Sequence, residues 1–191
     1  MVTRRSVCLF VGATALTPPA TLSPALAPAL APALAPALAP ALADVRALPA
    51  PKSKPIVTIT GKITNLNAPN SAVFDRDGLE AIGLASFETM TPWYKAPVKF
   101  EGVPIAKLLS LLGAEGDKLI ATALNDYTTE IPMADFAAYN VILALKRDGN
   151  YMPVADKGPL FIVYDFDRHP ETKSQKFYGR SAWQVARIEV R

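Results

Sequence analysis

The stretch from residue 98 to 132, VKFEGVPIAKLLSLLGAEGDKLIATALNDYTTEIP, constrains the fold more than any other. Val98, Lys99 and Phe100 alternate apolar and polar, as a half-buried strand does. Gly102 interrupts that strand. Pro104 then stands where a first helical residue tolerates the missing N–H. Ile105, Leu108, Leu109 and Leu112 follow at i, i+3, i+4 and i+7, which is one apolar helix face. Gly113 suits the C-cap of that helix. Residues 119–124 form an apolar run of strand length, Asn125 and Asp126 supply turn chemistry, and residues 127–131 alternate again. The unit reads strand, helix, strand, turn, strand, and the rest of the chain must pack on it.

Not all 191 residues can join that core. The first 43 contain no acid and only two bases, Arg4 and Arg5, followed by a short apolar run over residues 6–16. Residues 24–43 repeat Pro-Ala-Leu-Ala five times, and a proline every four residues forbids a stable helix. A basic start, an apolar run and Ala-x-Ala sites read as a secretory signal, with cleavage expected after Ala41-Leu42-Ala43. The run is too short to span a bilayer. Thr3-Arg4-Arg5 weakly resembles a twin-arginine signal, although paired arginines also occur in ordinary signals. Cleavage would leave 148 residues with 18 basic against 17 acidic side chains, a nearly neutral domain with no basic patch for nucleic acid. The one cysteine, Cys8, falls in the signal, so the mature domain has no disulfide, thiol nucleophile or thiolate ligand. The expected product is exported, periplasmic and not inserted in a membrane.

Residues 44–55, rich in Pro, Ala and Lys, read as a flexible leader before one domain over 56–191. Residues 56–63 alternate as a first strand. In Phe74-Asp75-Arg76-Asp77 an aspartate offers an N-cap to a short helix ended by Gly83. Residues 85–91 read as a strand, 132–139 as a short helix and 141–146 as a buried strand. Asp148-Gly149 is a hairpin signal. Residues 160–164 are the most apolar strand, 165–179 a charged loop with a helical turn near 173–177, and 183–190 a last strand that closes the sheet. Many short strands with two or three short helices give an α+β class, a single mixed β-rich domain.

The ordered segments Phe100-Glu-Gly-Val-Pro-Ile-Ala-Lys-Leu-Leu109, Ala123-Leu-Asn-Asp-Tyr127, Lys157-Gly-Pro-Leu160 and Tyr178-Gly-Arg-Ser-Ala-Trp183 carry a family likeness. In this order they resemble the molybdopterin-binding oxidoreductase domain of the sulfite oxidase type, closest to its small, exported, stand-alone members. The likeness runs from about Ile56 to Arg191. It implies that fold, and molybdopterin as the cofactor. Catalytic members hold molybdenum through a cysteine thiolate just before the Gly-Val-Pro helix. Here residues 86–93 contain no cysteine, and Met90 or a neighbouring threonine takes that place. A thioether or hydroxyl is not an equivalent ligand, since the ligand tunes the redox chemistry.

The expected ligand-lining residues are Trp93, Asn125, Tyr127, Lys157, Arg180 and Trp183. Arg180 can pair bidentately with a phosphate or oxyanion, or form an ordinary ion pair with a nearby acid. Lys157 can face an anion or only solvent. Trp93 and Tyr94 line a pocket or plug the core. Asn125, Asp126 and Tyr127 match the family's strand-end segment and equally make a turn. His169, the only histidine, sits in a charged loop and reads as exposed. One histidine among scattered carboxylates is a poor zinc set, so no metal site is expected. Hydrolase, metalloprotease and phosphate-loop signatures are absent. These features predict a non-catalytic module that binds a small anionic or pterin-like ligand or a partner protein. The alternatives are a molybdopterin-dependent oxidoreductase and a structural or sensory partner protein without a small ligand.

Overall fold

The computed structural model describes residues 48–191; the segment expected as a signal, with its Pro-Ala-Leu-Ala repeat, and residues 44–47 of the expected leader lie outside them. The described chain is α+β, with ten strands and four short helices. β1 (Val57–Gly61) and β2 (Ala72–Phe74) precede α1 (Arg76–Ile82), β3 (Ala85–Thr89) and β4 (Val98–Pro104). Next come α2 (Ile105–Leu112), β5 (Lys118–Ala123), β6 (Thr128–Pro132) and α3 (Met133–Ala138). β7 (Val141–Arg147), β8 (Asn150–Tyr151), β9 (Phe161–Tyr164), α4 (Gln175–Arg180) and β10 (Val185–Val190) complete the order.

The strands form two sheets rather than one. The first has the order β2-β1-β10-β5-β6. The second runs β3-β4-β7, with β8 and β9 both pairing β7. The last strand does not close a sheet edge as expected. It lies in the middle of the first sheet, parallel to β1 and antiparallel to β5. It also starts two residues later than the alternation suggests, because Gln184 adopts φ 55° and breaks the extended run. Trp183 instead bridges to Phe161 of the second sheet. One continuous apolar core, including Ile59, Phe100, Leu108, Leu143, Phe161, Tyr164 and Ile188, contains residues of both sheets and the helices.

Local chemistry accounts for most boundaries. All four apolar residues of the α2 face, Ile105, Leu108, Leu109 and Leu112, are buried. Gly113 takes the left-handed conformation at its end, and its N–H bonds Ser110 O. Asp75 caps α1 by accepting the Gly78 N–H at 2.8 Å. Asp148 and Gly149, both at positive φ, turn β7 into β8. Gly158 is required for another reason: a Cβ there would lie 1.8 Å from Met152 O. The segment from Leu48, expected as a flexible leader, is anchored instead. Leu48 is buried, and the backbone N–H groups of Lys52 and Ser53 each donate to Asp75 Oδ2 at 2.8 Å.

Candidate functional site

A cleft of about 400 Å³ opens where the ends of both sheets meet α4. This size lies within the range of small-molecule sites. Its walls are Pro92 and Trp93 from the β3–β4 turn, Ala123, Asn125 and Tyr127 around the β5–β6 turn, and residues of α4 and the segment after it.

Trp93 is fixed from behind. Its indole meets buried Phe161 edge-on at 5.4 Å and buried Phe166 at 6.3 Å. It also meets Tyr178 at 6.0 Å and Trp183 at 5.8 Å, both edge-to-face and both in the cleft wall. Edge-to-face pairs are the favoured aromatic geometry, so the wall is preorganised by its own contacts. Asn125 shapes the opposite rim. Its Oδ1 accepts the Tyr127 N–H at 3.2 Å, while Asp126 sits at φ 61°. The Tyr127 hydroxyl then reaches across and donates to Gly179 O at 3.2 Å, tying the β5–β6 turn to α4.

Four of the six expected residues, Trp93, Asn125, Tyr127 and Trp183, therefore meet in one cleft. Arg180 and Lys157 do not line it. Arg180 points to the other side of α4, where Nη1 donates to Asp135 Oδ2 at 2.7 Å. Asp135 is buried and also accepts the Tyr164 hydroxyl at 2.8 Å. The arginine is thus consumed by an internal ion pair. Lys157 ends a 3-10 turn at φ 65°, and its ammonium lies 5.0 Å from the Trp183 ring centre and 5.4 Å from that of Tyr94. Tyr94 does not line the cleft either; its hydroxyl donates to Asp156 Oδ1 at 3.2 Å, and Asp156 also pairs with Arg147. Burial pushes the Tyr94 hydroxyl above its ordinary pKa.

Sequence reasoning missed Gln175, Tyr178, Gly179 and Ser181. The signal was helical spacing: Gln175, Tyr178 and Gly179 fall at i, i+3 and i+4, one face of α4. Phe177 and Arg180 share the opposite, inward face. His169, expected to be exposed, is half-buried against the Tyr139 ring at 5.3 Å.

The cofactor implied by the resemblance needs a metal ligand and cations for its phosphate. Every residue lining the cleft is uncharged. Met90 is exposed and outside it, its N–H bonded to Asp167. Thr91 Oγ1 is buried without a partner among the described residues, but a single hydroxyl is no donor set. No group of three or more His, Cys, Asp or Glu suited to a metal occurs among the described residues. These residues fit a flat or ring-shaped ligand and do not fit the phosphate and metal of the complete cofactor. Among known proteins, the chain matches no family model and no curated protein.

Proposed function

We propose that this chain is an exported, non-catalytic binding module built on the sulfite oxidase-type molybdopterin-binding fold, with a small ligand held in the aromatic cleft. One observation carries the reading. Two indoles and two phenols converge with Asn125 and Gln175 on a preformed cavity, and none of the lining groups is a metal ligand or a charged acid–base residue. Binding and orientation are the tasks such a lining can perform.

The test uses protein produced in a cell that makes molybdenum cofactor. Elemental analysis is expected to give far less than one molybdenum per chain; near one per chain would overturn the non-catalytic reading. The small-molecule fraction of the same cell should raise the melting temperature of the wild-type protein. It should leave Gly179→Leu unshifted, because Gly179 has open space at its Cβ position and borders the cleft. Equal stabilisation of both proteins, or none of either, would remove the cleft from the function.

A further inference from the structure

We infer that the cleft selects an uncharged ring compound with an apolar face and a hydrogen-bonding edge, and discriminates against its phosphorylated form. This rests on the binding-module reading above and names the ligand class for the same site.

The basis is how the surrounding charges are used. No cation lines the cleft; exposed Lys95, two positions from Trp93, stands outside its walls. Of the other cations flanking it, Lys173 bonds Asp167 at 2.6 Å, and Lys157, Lys176, Arg180 and Arg187 each have a partner. Arg180 is paired with buried Asp135. Arg187 bonds Asp126 at 2.7 Å. The Lys157 ammonium lies over Trp183 and Tyr94, and that of Lys176 over Phe177 at 5.4 Å. A phosphate entering the cleft would lose hydration and meet no unengaged cation in the walls, which is unfavourable. A ligand cation fares no better, because Lys157 already sits by the Trp183 face and the walls carry no carboxylate.

The polar groups that remain are neutral, and donors predominate. Asn125 uses Oδ1 on Tyr127, and its Nδ2 has no partner among the described residues. Trp93, Trp183, Tyr178 and Gln175 also line the cavity, and the indole, hydroxyl and amide groups they carry make no side-chain hydrogen bond among the described residues. Ring faces therefore meet aromatic walls, while oxygen or nitrogen acceptors on the ring edge meet these donors. Heteroaromatic bases and neutral sugars share this chemistry.

The chain has two tryptophans, and both line the cleft, so intrinsic fluorescence reports on this site directly. Two matched pairs of probes separate ring type from charge: guanosine with guanosine 5′-monophosphate, and glucose with glucose 6-phosphate. At least one neutral member should change the emission saturably, and its phosphorylated partner should bind about tenfold more weakly or worse. The pair that responds tells a base from a sugar. The signal should vanish in Gly179→Leu, with circular dichroism verifying its fold, and weaken in Asn125→Ala. Equal or tighter binding of the phosphorylated member overturns this inference and leaves the cleft as a binding site. Silence of both neutral probes overturns it as well. The binding-module reading then falls only if the cell's small-molecule fraction also fails to stabilise the protein.

Discussion

Asp135 Oδ2 accepts two hydrogen bonds, from Arg180 Nη1 at 2.7 Å and from the Tyr164 hydroxyl at 2.8 Å. All three side chains are largely withdrawn from water, the Arg180 side chain being 16% exposed. Removing one partner of such a pair leaves a buried charge, which costs far more than the pair contributes. Arg180→Ala is therefore expected to lower stability by about 3 kcal/mol in urea unfolding. Lys157→Ala, which removes only a half-exposed cation over two rings, should cost less than about 1 kcal/mol. Similar losses in both would contradict the different roles drawn here for the two cations. Tyr164 adds a pH dependence. Burial first, and then its bond to Asp135, push its hydroxyl above the ordinary tyrosine range. The folded state thus holds this proton more tightly than the unfolded chain does. Its stabilising effect is complete below the unfolded value, about pH 10, and is lost as pH rises beyond it. In an alkaline titration followed by tyrosinate absorbance, at least one of the six tyrosines, Tyr164, should ionise only with unfolding. Ionisation of all six in a chain that stays folded would contradict the buried network.

At the scale of elements, α1 does more than cap itself. Asp75 accepts from Gly78 within the helix and from Lys52 N, Ser53 N and Ser53 Oγ outside it. The Gly78 N–H is the main cause of its lowered pKa, with Ser53 and Lys52 adding to it. A depressed carboxyl stabilises the fold above its unfolded pKa and stops doing so as pH falls through the folded value. Asp75→Ala should lower the melting temperature by about 4 °C at neutral pH, with a smaller difference at strongly acidic pH. It should also speed tryptic cleavage after Lys52; unchanged cleavage would mean that buried Leu48 and the Asn67 Nδ2–Pro49 O bond hold the segment. The cap was legible in the sequence because aspartate before a short apolar pattern has few other uses. The anchoring of residues 52 and 53 was not, since it depends on a contact 23 positions away. α2 was legible for the same local reason, with four apolar residues on one face and a glycine at the end. α4 was not, because Gln-Lys-Phe-Tyr-Gly-Arg has one buried residue and an interior glycine. Without its phase, Arg180 could not be assigned to the face opposite the cleft.

For the whole molecule, the local elements were readable and their pairing was not. Strand alternation shows which face a strand buries but not which strand lies beside it. So Asn125, Tyr127 and Trp183 could be chosen from motif order, together with Lys157 and Arg180 that stand outside the cleft, and Trp93 as a loop aromatic, while the two sheets that bring the four lining residues together could not. The decisive arrangement is β10 between β1 and β5, pairing Thr58 with Arg187 and Ile188 with Ala121. The first and last strands of the described domain are thus neighbours, and the first sheet is incomplete until the final residues arrive. Val185, Ile188 and Val190 are each almost fully buried. Burial of three aliphatic side chains contributes roughly 6 kcal/mol, comparable with the whole stability of an ordinary domain. Their loss would also leave β1 and β5 with unpaired inner edges, open to association between chains. A chain ending at Gln184 should therefore show no cooperative thermal transition and should aggregate, although none of the removed residues lines the cleft. A synthetic peptide of residues 185–191 should restore part of the transition by filling the vacant lane. A truncated chain that melts cooperatively near the wild-type temperature would mean that β10 is an edge strand after all, and that the first sheet closes without it.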